Sequence, residues 1–97
     1  MIRSFRNRGT EDVFNGRDSK AARRVCPTEL WPAARRRLSQ LEYAATLGDL
    51  RLPTSNRLHP LWAERASQHS ISINKEYRIC FEWTESGPEH VEITDYH

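Results

Sequence analysis

The sequence has 97 residues, 37% of them hydrophobic and 29% charged, which allows one small domain with a thin core, 1–97, and excludes two. The net charge is only +2, but 13 of the 15 basic residues are arginines, whose planar guanidinium suits phosphate groups as well as an ordinary solvated surface. No stretch approaches the roughly 20 apolar residues of a membrane span, and the basic first residues lead into Asn7 without the apolar segment of a secretion signal. We therefore expect a cytoplasmic protein without a membrane partner.

The first part of the chain is predicted to be a short strand followed by helices. Residues 2–6 alternate imperfectly between apolar and polar types and end before Gly9, which indicates a first strand. The hydroxyl of Thr10 can cap a helix whose acidic first turn suits the helix dipole, and Gly16 can end that helix. The charged segment 15–26 has little periodicity and is either a loop or a helical connector.

The longest periodic segment predicts a helix that begins near Trp31. Its apolar residues recur at spacings of four and three, which places them on one helix face. These residues are Leu30, Ala34, Leu38, Leu41 and Ala45. Arg35, Arg36 and Arg37 fall between them, so most of this charge is expected to face solvent. A further short turn is predicted to close at Gly48.

Everything after a loop at 52–56 is predicted to be sheet. Residues 69–73 and 77–83 alternate between polar and apolar types and are joined by a connection of hairpin length. A second turn at 85–88 precedes a last strand at 90–94. Strands that follow helices in this order predict an α+β fold, with a small antiparallel β-sheet and two to three N-terminal helices packed on one side.

The two cysteines, Cys26 and Cys80, are predicted to be free thiols, with Cys80 acting as a small buried hydrophobic residue. The sequence contains no CxxC motif, and its four histidines lack the spacing of a zinc site. We therefore expect neither a cofactor nor a metal site.

Four segments of the chain carry a family resemblance. They are the opening Met-Ile-Arg-Ser-Phe, Arg-Leu-His-Pro-Leu at 57–61, Ile-Ser-Ile-Asn-Lys-Glu-Tyr-Arg-Ile-Cys-Phe-Glu-Trp at 71–83, and Val-Glu-Ile-Thr-Asp-Tyr-His at 91–97. Together they resemble the HigB toxins, in the plasmid-maintenance killer branch of the RelE/ParE superfamily. The resemblance spans essentially the whole chain, and its most specific parts are the Asn-x-x-Tyr-Arg-Ile-x-Phe strand and the Asp-Tyr-His motif.

This resemblance implies a toxin of a type II toxin–antitoxin pair that cleaves mRNA on the translating ribosome without a metal ion. It also implies a RelE-like microbial ribonuclease fold and neutralisation by a HigA-type helix-turn-helix antitoxin. Operator DNA would be bound only through the antitoxin complex, because the chain shows no helix-turn-helix signature of its own. Cleavage through the ribose 2′-OH needs a base, an acid and cations near the phosphate.

Arg78 and His59 are the first candidates for this chemistry. Side-chain alternation predicts that Arg78 points to an open sheet face opposite the core, where the resemblance implies contact with the phosphate and the transition state. The alternative is a surface arginine paired with Glu82 or Glu92. His59 occupies the position of a histidine associated with activity in the family, and a histidine can serve as acid or base near neutral pH. The alternative for His59 is a structural hydrogen bond.

Asp95, Tyr96 and His97 match the terminal motif of the family residue by residue. The resemblance implies that Asp95 orients a histidine or acts as a base, that Tyr96 offers a stacking surface and a hydroxyl, and that His97 acts as acid or base. The last predicted strand leads into this motif without a linker, so the motif is expected to lie beside Arg78 and His59. The alternative is a frayed terminus.

Two positions depart from the pattern of some relatives. Those relatives carry a lysine where this chain has Trp62, or an arginine where it has Asn74, although Lys75 is adjacent. Trp62 is predicted to stack on a base and Lys75 to contact RNA. A site with fewer cations stabilises the phosphorane less well, which predicts weak toxicity.

Positive charge is concentrated in the first part of the chain. Residues 1–57 contain 12 basic and 6 acidic residues, and residues 58–97 contain 3 and 7, so the two parts carry +6 and −4. Arg35 and Arg36 are predicted to contact RNA. Docking against an acidic antitoxin surface and an ordinary solvated helix face are the alternatives.

Two other functions are compatible with the same sequence. One is a ParE-like toxin that poisons gyrase by binding, without acid–base residues. The other is a catalytically silent co-repressor that works by binding the antitoxin.

Overall fold

The computed structural model describes residues 1–62 and 67–95, in which helices precede strands. The helices are α1 (Arg8–Phe14), α2 (Lys20–Val25) and α3 (Trp31–Tyr43), and the strands are β1 (His59–Pro60), β2 (Gln68–Ser72), β3 (Tyr77–Thr84) and β4 (Gly87–Asp95). Short 3-10 turns lie at Thr28–Leu30, Leu47–Arg51 and Thr54–Asn56. Within the described residues, no helix combines the length and the apolar character needed to cross a membrane.

The described strands form one antiparallel sheet in the order β1-β2-β3-β4. Ile79 in β3 lies opposite Ile71 in β2 and Ile93 in β4, so three isoleucines line up on the face that the helices cover. A register shift between β3 and β4 marks a bulge, and His90 of β4 has a left-handed φ of 54° there. The helices pack on one side of this sheet, which confirms the predicted α+β class.

One hydrophobic core lies between the isoleucine face of the sheet and the helices. The predicted apolar face of α3 is confirmed at Ala34, Leu38 and Leu41, which are all fully buried, whereas Ala45 lies beyond the end of the helix and is exposed. The core also contains residues of the strands, Ile73 directly after β2, and one residue of α1. The strand residues and the α1 residue are Ile71, Ile79, Phe81, Val91, Ile93 and Val13.

Both cysteines are buried and remain thiols that form no disulfide, as predicted. Desolvation raises the pKa of the Cys26 thiol from 9.0 to about 11, so Cys26 stays a neutral thiol at physiological pH.

The predicted first strand at 2–6 is wrong in extent, because it forms a single bridge. Phe5 bridges Val91 in the parallel orientation along the outer edge of β4, and the Val91 amide donates to the Ser4 carbonyl at 3.1 Å. The bulge at His90 interrupts the ladder, since the His90 amide donates to the Ser4 hydroxyl at 2.9 Å instead of to a backbone carbonyl.

The start of α1 also differs from the prediction. The helix begins at Arg8, and the cap is Asn7, whose Oδ1 accepts from the Thr10 amide at 2.8 Å. Thr10 is buried, and its hydroxyl oxygen accepts from the Ile93 amide at 3.0 Å, so Thr10 ties α1 to β4 instead of capping the helix. Gly16 follows the helix with a φ of 72°, as predicted for a terminating glycine.

Two connecting segments are more helical than their sequences indicated. The segment 15–26 adopts the helical alternative, because Ser19 caps α2 by accepting from the Ala22 amide at 3.0 Å. Gly48 was predicted to close a turn but lies inside the 3-10 turn Leu47–Arg51. That turn starts instead from a reciprocal capping arrangement between Thr46 and Asp49.

Candidate active site

The guanidinium of Arg78 is held on the sheet face opposite the core. Arg78 is the second residue of β3, and its neighbours across the sheet are Ser72 and Thr94. Its Nε donates to the Ser70 hydroxyl at 2.9 Å, and its Nη2 lies 3.2 Å from the Arg57 carbonyl and 2.9 Å from Nδ1 of His59. These partners fix the plane of the guanidinium, and a fixed cation is what a developing phosphorane charge requires.

Arg78 lies on the predicted face, but the expectation that this face is open is wrong at this position. Arg78 is only 9% exposed, because the segment carrying Arg57 and His59 packs over its guanidinium. Burial also excludes the alternative of a surface arginine. Glu82, one of the two acids in that alternative, contacts Nδ1 of His90 at 3.3 Å.

Among the described residues, His59 contacts the site through its ring nitrogen Nδ1. Its Nδ1 lies 3.0 Å from the Arg57 carbonyl and 2.9 Å from Nη2 of Arg78. With a proton on Nδ1, the ring donates to the carbonyl; without one, it accepts from the guanidinium. Because Nδ1 makes both contacts, proton exchange with a substrate would use Nε2. The tautomer of His59 is therefore coupled to Arg78.

The backbone of Arg57 brings these two side chains together. Arg57 follows the 3-10 turn Thr54–Asn56 in the left-handed region, with φ 49° and ψ 51°, a conformation that costs a non-glycine residue about 1–2 kcal/mol. This conformation turns the carbonyl towards both Arg78 and His59. The strained residue thus lies at the centre of the candidate site, as strained residues often do.

Asn56 holds this strained segment against α3. The residue is fully buried, and its Nδ2 lies 3.0 Å from the Leu50 carbonyl, 3.3 Å from the Leu52 carbonyl and 3.1 Å from Oε1 of Gln40. Its Oδ1 accepts from Nη1 of Arg37 at 2.6 Å. Asn56 is therefore a positioning residue for the site, and an asparagine in a polar loop gives no sign of this in the sequence.

Asp95 is the last described residue and lies at the end of β4. It pairs with Tyr77, while Arg78 pairs with the preceding Thr94, so strand alternation places the Asp95 side chain on the face opposite Arg78. The pKa of the Tyr77 hydroxyl is raised, first by desolvation and next by the charge of Asp95. The expected position of the Asp95 side chain beside Arg78 and His59 is therefore wrong, because it lies beside Tyr77 on the opposite sheet face.

Two small cavities flank the Arg78–His59 pair. One of about 300 Å³ is lined by His59 together with Arg51 and His69. The other, of about 250 Å³, is lined by Arg37, Arg57 and Lys75 among others.

A larger cavity of about 700 Å³ runs along α3. Arg35 and Arg36 line it with the 85% exposed Tyr43, and neither His59 nor Arg78 is among its described lining residues. Arg35 and Arg36 thus lie on a different surface from the candidate site.

Among the described residues, no group of three His, Cys, Asp or Glu side chains lies close enough together to hold a metal ion.

Comparison with known proteins identifies the family. Residues 3–97 match the family model of HigB-like toxins, described as the RelE-like toxin HigB of type II toxin–antitoxin systems. This chain belongs to the HigB-like toxin family. Toxin HigB-1 from Vibrio cholerae serotype O1 is 32% identical over 85 residues, which are 88% of this chain and 86% of that toxin. Endoribonuclease HigB from Proteus vulgaris is 27% identical over 97 residues, the full length of both proteins.

The resemblance drawn from four sequence segments is therefore confirmed, and membership implies an antitoxin partner for this HigB-like toxin. Of its predicted site residues, the structure brings His59 and Arg78 together and places Lys75 in an adjoining cavity. Trp62 follows β1 by two residues and is 80% exposed. Tyr96 and His97 lie outside the described residues.

The Asn74 side chain has a structural role in this chain. Its Oδ1 accepts from the amides of Glu76 at 2.9 Å and Tyr77 at 2.8 Å, which closes the hairpin between β2 and β3. An arginine has no acceptor for these amides. The departure at position 74 is thus tied to the conformation of the turn.

Sequence reasoning missed two partners of Arg78. Ser70 was accessible to it, because alternation along 69–73 and pairing across the hairpin put Ser70 on the same sheet face as Arg78. The part of Arg57 that binds Arg78 is a carbonyl in a left-handed conformation, and the residue type gives no signal for that.

Proposed function

We propose that this HigB-like toxin is an endoribonuclease that cleaves mRNA on the translating ribosome without a metal ion. The observation that carries the proposal is the contact between Nη2 of Arg78 and Nδ1 of His59 at 2.9 Å. It joins a fixed cation to a group that can exchange protons, and cleavage through the ribose 2′-OH needs both. A further support is that the relative from Proteus vulgaris is named an endoribonuclease.

In this proposal Arg78 stabilises the negative charge on the phosphorane, and His59 exchanges a proton through Nε2. Tyr96 and His97, which match the terminal motif of the family, complete the acid–base set. Asp95, the first residue of that motif, would orient His97 from the opposite sheet face. Two side chains, Trp62 and Lys75, would hold the RNA near the site. Arg35 and Arg36 would contact RNA on the separate surface along α3. Trp62 is available for this because its ring is largely exposed, and an exposed indole can stack on any base.

The proposed partners follow from the toxin–antitoxin family. A HigA-type helix-turn-helix antitoxin would neutralise the toxin, and operator DNA would be bound only through that complex. The toxin would act in the cytoplasm, where translating ribosomes are found. Co-expression of the antitoxin is expected to restore growth, because a partner that binds the folded toxin removes it from its target.

The test is a pair of matched substitutions, His59→Asn and His90→Asn. Asparagine at position 59 can still offer an acceptor to Arg78 but cannot exchange a proton, so transcript cleavage should fall by about 10²–10⁴-fold. His90 is exposed and has a left-handed φ that asparagine tolerates, so His90→Asn should cleave like the wild type. The measurements are growth arrest on induction and mapping of transcript 5′ ends.

Two added measurements, DNA damage on expression and antitoxin binding, separate the competing functions. Intact transcripts together with DNA damage on expression would contradict RNA cleavage and favour a gyrase poison. Tight antitoxin binding without growth arrest would favour a silent co-repressor. Full cleavage by His59→Asn would remove His59 from the proposed machinery.

A further inference from the structure

Three basic side chains from separate segments line the cavity of about 250 Å³ beside Arg78. Arg37 comes from α3, Arg57 follows the 3-10 turn Thr54–Asn56, and Lys75 lies in the hairpin between β2 and β3. The other lining residues are Ser55, Ser72, Ile73 and Asn74. None of the described residues that line the cavity is acidic, so the local charge is strongly positive.

The cations of this cavity are partly fixed before any ligand arrives. Nη1 of Arg37 donates to Oδ1 of Asn56 at 2.6 Å, and its Nη2 donates to the Ser55 hydroxyl at 3.2 Å. Lys75 projects from a turn that the Asn74 side chain closes. Ordered cations bind a ligand with less loss of side-chain entropy than free ones.

The cavity adjoins the candidate active site through the backbone. Ser72 lies on its wall and pairs directly with Arg78 across the sheet. Arg57 lines the cavity while its carbonyl accepts from Nη2 of Arg78. A ligand in the cavity would therefore be a close neighbour of a phosphate held at Arg78.

We propose that Arg37, Arg57 and Lys75 form a second phosphate site, which binds an RNA backbone phosphate next to the scissile one. This inference rests on the proposed endoribonuclease function. The chemistry favours a phosphate, because guanidinium forks and an ammonium group match its oxygens and the hydroxyls of Ser55 and Ser72 add neutral donors.

The test uses a short fluorescent RNA with every ribose 2′-O-methylated, which cannot be cleaved through the 2′-OH. Its affinity is measured by anisotropy over a series of KCl concentrations. The double variant Arg57→Gln/Lys75→Gln should bind several-fold more weakly than the wild type, with a salt slope reduced by about 0.7, the value for one single-strand phosphate contact. Arg3→Gln/Arg8→Gln removes two exposed charges from outside the cavity and should retain the wild-type slope.

Two further variants guard against a folding defect. Lys75→Gln alone changes an exposed turn residue and should show part of the same loss. Arg57→Lys keeps the charge and should restore most of the affinity. Thermal unfolding of each variant shows whether the fold is retained.

Equal affinities and slopes for wild type, double variant and control, including no binding by any of them, would overturn the phosphate site. If the double variant instead lost affinity for hexaglutamate while its RNA affinity stayed unchanged, the cavity would belong to a protein partner, which would also overturn it.

A transcript-cleavage assay with translating ribosomes separates this inference from the function on which it rests. A wild type that binds the methylated RNA through Arg57 and Lys75 but cleaves no transcript would refute the endoribonuclease and retain the phosphate site. Normal transcript cleavage, together with the same salt slope for the wild type and the double variant, would support the endoribonuclease and refute the phosphate site.

Discussion

Arg78 combines burial with charge, and its hydrogen bonds compensate for the loss of hydration. The substitution Arg78→Lys keeps the charge but cannot span the Ser70 hydroxyl, the Arg57 carbonyl and Nδ1 of His59, because an ammonium lacks the planar fork. We expect transcript cleavage to fall by about 10²–10³-fold, the loss typical of a misplaced transition-state donor. Rates of transcript cleavage and thermal unfolding curves check this.

The control for Arg78→Lys is Arg8→Lys, the same change at an exposed position. It should leave cleavage and stability unchanged. A folded Arg78→Lys variant with the cleavage rate of the wild type would show that charge alone suffices, and would contradict a role for the fixed fork.

His69 is expected to make stability depend on pH. Its ring stacks on Phe81 with centroids 6.3 Å apart, and desolvation, followed by the charge of His59, lowers its pKa from 6.5. The unfolded chain then binds more protons than the folded one just below pH 6.5, so stability rises with pH there. This contribution is complete above the unfolded pKa and is lost as the pH falls towards the lower folded value.

The substitution His69→Phe should flatten this dependence, since phenylalanine can stack on Phe81 without titrating. Urea unfolding of both proteins between about pH 5 and pH 7 measures it. The wild type should lose more stability than the variant at the acidic end. Parallel profiles would show that His69 does not contribute.

At the scale of elements, α1 and α2 pack in close contact at Gly9. A Cβ built on Gly9 would lie 2.6 Å from Cγ1 of Val25 and would also overlap the Ala21 carbonyl oxygen. Because a backbone carbonyl cannot turn aside as a flexible side chain can, Gly9→Ala should force the helices apart and cost about 1–3 kcal/mol. Urea unfolding measures the loss.

Gly48→Ala is the matched control. A Cβ there would meet its nearest atom, the Thr46 hydroxyl oxygen, at 3.8 Å. Alanine restricts the unfolded chain, so this variant should be neutral or gain up to about 1 kcal/mol. Equal stability of the two variants would contradict the close helix contact at Gly9.

A helix or strand can be predicted from the sequence when the pattern that determines it lies within the segment itself. The alternation along β2 and β3 and the apolar face of α3 identified these elements, because each buries one face against the same core. The cap of α1 was assigned to Thr10 although it is Asn7, since both are good capping residues and only the tertiary contact between Thr10 and Ile93 decides between them.

For the candidate site, too, local sequence signals identify single residues, whereas the contacts between them depend on the tertiary structure. The positions of His59 and Arg78 came from a family resemblance, and their contact required the left-handed carbonyl of Arg57. The bond from Arg37 to Asn56 spans 19 residues, and nothing in either local pattern links the two. Networks of this kind depend on the whole fold and are not encoded by residue spacing.

At the scale of the molecule, we expect residues 1–97 to unfold as one unit. Hydrogen bonds between residues far apart in sequence connect the sheet, the N-terminal segment and the helices. The Ile93 amide of β4 donates to the Thr10 hydroxyl of α1 at 3.0 Å, and the Ile2 amide donates to Glu42 of α3 at 2.7 Å. Tryptophan fluorescence and far-UV circular dichroism should therefore give the same urea midpoint. Two separate midpoints would contradict a single domain.

The positively charged first part of the sequence and the negatively charged second part do not form separate surfaces at this site. Arg37 and Arg57 come from the part that carries +6, and Lys75 comes from the part that carries −4, yet all three line one cavity. The sign of a chain segment is therefore a poor guide to the potential at this site, because the fold brings residues from both segments to one wall.

The closed hairpin at Asn74 has a consequence for how relatives are compared. A comparison made one sequence position at a time would count the neutral amide of Asn74 as the loss of a positive charge. In the structure, Oδ1 of Asn74 accepts the backbone hydrogen bonds that close the turn. Lys75 and Arg57 place positive charge in the neighbouring cavity. In this toxin, the positive charge near the site is therefore better judged from the side chains around the cavity than from the residue type at position 74.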